Sequence, residues 1–413
     1  MNKLQLIPRY VTPFGKNEQE VLEQCCNEEL KKKYKSKVSL AAMRLKSEIN
    51  AIREHKIAGY FLVIQDIVNY AKIQSVPVGP GRGASAGSIV NYLLGITEID
   101  PLRYGLIFER FFNPKVQEFP DISIDLCSKK RQEVVDYVIK KYGNKKTGNT
   151  TGTADVEILG WPLLSLLDKT LKLIKNKQNK DIDIAKIPLD DPSTLKLFAQ
   201  AKTAGIFMFG GSETEIGKYL KKVKPDCFED IVALLALYRP GPIGIGLLDT
   251  FIKNRYKKSS IKYLHPKLEP ILKETYGLVV YQEQIMRIAS SLAGFDLADA
   301  DILRRSFMSK REDMSEQSTK FVQGCIKNRI KEPLAVKIRD LLKSVASYTF
   351  NKSHSVVYSL VSYRHAYLKA NFPNEFMREL LLSERKNAEI LKEYEEEARE
   401  MGLDIDMKKY ERS

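Results

Sequence analysis

Residues 119–126 read Phe119-Pro-Asp-Ile-Ser-Ile-Asp-Leu126, and their alternation is strict. Ile122, Ile124 and Leu126 fall on one side of an extended chain, and Asp121, Ser123 and Asp125 on the other. A side-chain period of two predicts a half-buried strand with an acidic face. On that face, Cα atoms two residues apart are separated by about 6.5 Å, so the carboxylates repel unless a cation lies between them. Hard-oxygen ligation of Mg²⁺ is one reading of such a row; a solvated strand face is the other. A second short strand, ADVEIL at 154–159, places Asp155 and Glu157 on one side as well. Two acidic strands flanking the loop GNKKTGNTTGT at 143–153 can converge on a metal ion.

Upstream, VPVGPGRGASAGS at 76–88 breaks all periodicity. Closely spaced glycines let backbone N–H groups converge on an anion, and the start of the next helix adds partial positive charge. The loop is neither a Walker A nor a dinucleotide fingerprint, since the lysine and the preceding strand are absent. A structural turn is the competing reading. Around it, residues 17–56, 58–75, 88–96 and 130–142 have helical patterns, and from about 186 onward the chain is mostly helical apart from LYRPGPIG at 237–244. The class is therefore α+β, with a small sheet early and a helical body after it.

The 413 residues carry 67 Lys+Arg against 52 Asp+Glu, a net charge of +15 that suits a polyanionic partner. The basic runs are spread along the chain, which also fits solvated faces. The longest apolar run, Ile231 to Tyr238, is far short of the roughly 20 residues of a membrane span. No signal peptide is expected from MNKLQLIPRY, and the five cysteines show no zinc or disulfide spacing. A basic cytoplasmic protein is the expectation. Candidate phosphate-binding cations are Arg110, Arg239, Arg304, Arg305 and Lys352, with His354 beside the last. Aromatics from Tyr348 to Phe372 (Phe350, Tyr358, Tyr363 and Tyr367 among them) offer base stacking or ordinary core.

The strings AGYFLVIQDIVNYA, VPVGPGRGASAGS, LGITEIDPLRYGLIFERFFNP, PDISID, KPDCFEDIVALLALYRPGP, ETYGLVVYQEQIM, DILRRSFMSK and FNKSHSVVYSL occur in this order. With them the chain resembles the catalytic core of bacterial C-family DNA polymerases, the DNA polymerase III alpha subunit, from about residue 17 to 382. The resemblance implies a polymerase-beta-like nucleotidyltransferase palm with a small mixed sheet at 1–162, mostly helical fingers at 163–382 and a charged helical tail at 383–413. The loop 143–153 stands where the family carries its thumb, so the thumb is expected to be absent. No sliding-clamp tail is expected either.

The implied activity is template-directed addition of dNTPs to a primer 3′-hydroxyl, with two Mg²⁺ ions and DNA, dNTP and other replication subunits as partners. The candidate catalytic and metal-binding residues are Asp121 and Glu157, at the positions the resemblance implies, and Asp125, which shares the strand face and can reach in for the second carboxylate; the implied substrate-binding residues are Gly83, Ser85, Arg110, Arg304, Arg305, Lys352 and His354. Several positions depart from the family pattern. Ser123 takes the place of the second carboxylate, Glu157 of an aspartate, Asp155 of a lysine and Ala84 of a serine, while GIFMFGGSE departs from the family string at Met208 and Gly210. A serine at 123 removes a charge and a ligand, so a non-catalytic DNA- or nucleotide-binding protein is the alternative expectation.

Overall fold

The computed structural model describes residues 10–12, 15–35, 38–143, 156–257, 259, 261–308 and 314–403. Asp155 and the loop expected at 143–153, apart from Gly143, lie outside the described residues. The described residues are mostly helical and include one two-stranded sheet. Strand β1 (Ile124–Cys127) pairs with β2 (Ile158–Trp161) in parallel, in the register Ile124 to Ile158 and Cys127 to Trp161. A parallel pair requires a crossover, and the helix Arg131–Tyr142 lies on it. The sheet is less mixed than expected: its antiparallel neighbour is a single bridge from Val78 to Leu126.

The apolar half of the 119–126 pattern does what its period dictates. Ile122, Ile124 and Leu126, with Ile158, enter a core built with the helices Glu18–Lys33, Val38–Glu54, Ala58–Ile73 and Arg131–Tyr142. The Ile122 amide donates to the buried Tyr60 hydroxyl at 3.0 Å, which anchors the lead-in to β1. The polar half behaves differently from expectation. Every residue of β1 is buried, and the Asp125 side chain is only 1% exposed. The reason is a second core against the other face, to which Cys127 and Leu164 belong. The 77–79 segment also closes the β1 edge, with Gly79 donating to the Asp125 carbonyl at 2.8 Å and Cys127 to that of Pro77 at 2.9 Å.

The second core is formed chiefly by the helices Pro162–Gln178, Pro192–Ala199, Phe228–Leu237, Lys352–Asn371 and Pro373–Glu384. A third gathers Gln282–Ile288, Leu297–Met308 and Glu332–Val345. The glycine loop is the joint between them. Its 3₁₀ turn, Gly83–Gly87, packs against the start of the Lys352–Asn371 helix and against Phe108–Phe111. Two glycines are required there. A Cβ on Gly87 would stand 2.8 Å from the Ile107 carbonyl oxygen, and Gly81, at φ +127°, would place one 2.9 Å from Thr97 Cγ2. The charged helix Ala388–Glu400 docks on the second core through Ala398 and a buried Lys369–Glu397 ion pair.

Candidate functional site

The carboxylates read from the sequence sit at the head of the sheet, already engaged. Ser123 Oγ donates to Glu157 Oε2 at 3.1 Å, bridging the approach to β1 and the residue before β2. Arg82, from the glycine loop, donates through Nη1 to Asp125 Oδ1 at 2.9 Å, while Asp125 Oδ2 is buried with no partner. Burial pushes the Asp125 carboxyl above its ordinary value; Arg82 pulls it back only partly, and Glu157 adds to the rise. Asp121 is exposed ahead of the strand.

This arrangement does not fit a two-metal centre. One Asp125 oxygen is occupied by a guanidinium, and Ser123 supplies a neutral hydroxyl whose proton points at Glu157. Among the described residues, the one group whose carboxylate, thiol or imidazole ligand atoms all lie within 4.8 Å of one another is elsewhere, at Asp226, Cys227 and Asp230. There Arg255 is the cation, 2.9 Å from Asp226 and 2.7 Å from Asp230.

The glycine loop is also partly committed. The amides of Ile89 and Val90 donate to Glu48 at 3.0 and 3.2 Å, and Ser88 Oγ does so at 2.7 Å. Arg44 balances that buried carboxylate at 2.6 Å. The helix start expected to attract phosphate is thus filled by a side chain of the protein itself. Ser85 is buried and donates to the Arg82 carbonyl at 2.6 Å, which makes it a brace of the loop. Gly83 remains beside open space at φ +61°.

Two of the expected arginines share one anion, Asp301, and a third, Arg110, lies near enough to feel their charge. Arg304 makes two bonds to Asp301 Oδ1, at 2.9 and 2.6 Å, and Arg305 holds Oδ2 at 2.6 Å and Glu118 at 2.7 Å. Burial alone would raise the Asp301 carboxyl, but Arg304, Arg305 and Asn113 outweigh it and hold it below its ordinary value. Arg110 donates to Gln282 Oε1 at 2.6 Å; burial and then the neighbouring Arg304 lower its pKa.

Lys352 and His354 do not share a pocket. Two residues along a helix turn the side chain by about 200°. Lys352 therefore pairs with Glu274 at 2.7 Å and lines a cavity of about 400 Å³ with Arg103, Glu229, Tyr281 and Arg287. His354 faces the other way, its ring 4.1 Å from that of Tyr358. Burial, followed by the charge of Arg82, depresses its pKa to about 4. Arg82 and Glu48 escaped attention in the sequence: one reads as part of a loop, the other as one more helix charge. The one signal was for Arg82, a cation between two glycines; Glu48 carried none.

Residues 20–157 match the family model of the bacterial DNA polymerase III alpha NTPase domain, and residues 163–329 that of the finger domain of the same subunit. The chain belongs to the DNA polymerase III alpha family. It is 31% identical to the DNA polymerase III subunit alpha of Aquifex aeolicus over 535 residues, covering 94% of this chain and 46% of that protein. The corresponding protein of Pseudomonas aeruginosa is 32% identical, with 97% and 46% covered, and that of Staphylococcus aureus 33%, with 97% and 48%. The chain thus spans about half the length of these curated relatives. The Aquifex alignment is longer than the 413 residues of the chain, so the relative carries extra residues inside the matched stretch. No described helix is long and apolar enough to cross a membrane.

Proposed function

We propose that this member of the DNA polymerase III alpha family is a DNA- and nucleotide-binding polymerase core whose two-metal chemistry has been lost. The observation that carries this reading is the engagement of the carboxylates: Ser123 donates to Glu157, and Arg82 holds Asp125. The family depends in general on divalent metal, and removing one carboxylate from such a centre lowers transition-state stabilisation by several kcal/mol, a factor of about a thousand. In this reading residues 1–162 form a nucleotidyltransferase palm, 163–382 the fingers and 383–413 a charged tail. The two matched family segments, ending at 157 and starting at 163, support that division. The short connection between Tyr142 and β2, together with the extra residues of the relatives, supports an absent thumb. A cytoplasmic location and contact with other replication subunits belong to the same proposal.

A second reading, template-directed DNA synthesis, is favoured by Asp121, which is exposed ahead of β1, and by Glu157, which is half-buried just before β2. In it Asp121, Asp125 and Glu157 are the metal ligands, and Gly83, Arg110, Arg304, Arg305, Lys352 and His354 serve the incoming dNTP. Primer extension with Mg²⁺ and separately with Mn²⁺ decides between them, using the natural chain, Asp121→Ala and Ser123→Asp. The first reading expects primer–template binding that weakens with salt and no extension by the natural chain. Extension that Asp121→Ala abolishes would replace it with the second. Gain of extension by Ser123→Asp alone would show a scaffold that kept its substrates after losing its metal site.

A further inference from the structure

One face of the Lys352–Asn371 helix is lined with rings to which the first reading above gives no role. Phe350, just ahead of the N-cap Asn351, His354 and Tyr358 recur every four residues and so stack on one face. Ring centroids are 5.4 Å apart from Phe350 to His354 and 4.1 Å from His354 to Tyr358. The row continues to Phe207, 5.1 Å from Tyr358, and to Trp161, 5.8 Å from Tyr358 and 4.9 Å from Phe207. All five rings are partly buried and keep one exposed margin each, Trp161, Phe350 and Tyr358 packing against the second core, whereas Tyr363, on the same helix, is fully buried in it. Guanidinium groups flank the row. Arg239 lies over the Phe350 ring at 4.7 Å, and Arg82 is close enough to His354 and Tyr358 to bear on both.

We propose that this ridge is a stacking track for single-stranded DNA, with bases against the rings and backbone phosphates toward Arg82 and Arg239. Partly exposed rings flanked by cations suit such strands, because every base has a π face and every linkage a charge. Paired bases in a duplex present edges and backbone rather than free faces, so the ridge selects the unpaired strand. Arg82 is steadied by Asp125 and does not collapse onto the rings. His354 is held uncharged at neutral pH, which keeps it a flat neutral surface between two aromatic neighbours. The inference rests on the nucleic-acid binding proposed above and names the strand state that it takes.

Trp161 is the single tryptophan of the chain and lies at one end of the ridge, so its emission reports occupancy directly. The experiment titrates the full chain with oligo(dT) and with a mixed-sequence duplex, at several salt concentrations. Quenching of Trp161 and tighter binding of oligo(dT) than of duplex are expected. Tyr358→Leu and Phe350→Leu, which keep apolar bulk, should each weaken oligo(dT) binding about tenfold at every salt concentration without changing the salt slope. Arg239→Gln should instead reduce that slope by about one. Folded Leu variants that bind oligo(dT) like the natural chain, or a duplex that binds more tightly without quenching Trp161, would overturn the ridge while leaving DNA binding intact. Failure to bind either form of DNA would overturn both readings.

Discussion

At Asp125 two requirements conflict: a strand between two cores must be dry on both faces, and a carboxylate must not be dry alone. Arg82 resolves the conflict with one hydrogen bond and leaves the second oxygen unsatisfied. Replacing Arg82 by Met leaves the buried carboxylate uncompensated. Since the Arg82 side chain is 35% exposed, the loss should be about 2 kcal/mol near pH 8, below that of a fully buried pair. The folded state already holds the Asp125 proton more tightly than the ordinary carboxyl value, and the variant holds it more tightly still. A carboxyl raised in this way makes stability fall as pH rises through the interval between its unfolded and folded pKa. Urea unfolding at about pH 5 and pH 8 should therefore show a smaller penalty at the lower pH; equal penalties would mean that Asp125 is not the group left behind.

Among the elements, the short helix Ile89–Leu93 shows how a loop that looks built for phosphate can be closed from within. Glu48 comes from a different helix, Val38–Glu54, and its place at the start of Ile89–Leu93 follows from helix packing rather than from local sequence. It also fastens the glycine loop to the first core, so the loop is held from below while Gly83 faces open space. Glu48→Ala takes the acceptor from two amides, one hydroxyl and Arg44 Nε, for a loss of about 2–4 kcal/mol in urea unfolding. Glu48→Gln retains one acceptor oxygen and should lose less. A loss below about 0.5 kcal/mol for the Ala variant would mean that these donors find other partners.

For the molecule as a whole, the helix Ala388–Glu400 of the charged segment packs as part of the body. Lys369, fully buried, pairs with Glu397 and also donates to the Ala204 carbonyl at 2.6 Å, while Glu397 accepts from the Ala204 amide at 3.1 Å. Lys369→Met should remove about 3–5 kcal/mol, because Glu397 is left buried and alone. The double variant Lys369→Met with Glu397→Leu should recover most of that loss in thermal unfolding. Independent, additive losses would show that the two side chains do not depend on each other.

The sequence alone determined the α+β order of elements, the apolar face of 119–126, the helical body, the family and the unusual serine at 123, since all of these rest on local period or on strings of consecutive residues. It also marked Arg304 and Arg305, though not the Asp301 that binds them. The tertiary structure decided which polar groups are spent. A period-two acidic face reads as solvated or metal-bound from the sequence, yet at Asp125 a second core covered it and a loop arginine closed it. Lys352 and His354 look like neighbours in a string and diverge on a helix. Phe350, His354, Tyr358, Phe207 and Trp161 come from three separate segments and become one ridge only when β2 meets the Lys352–Asn371 helix. The reason is physical: burial and charge pairing depend on what packs from elsewhere in the chain, and no local period records it.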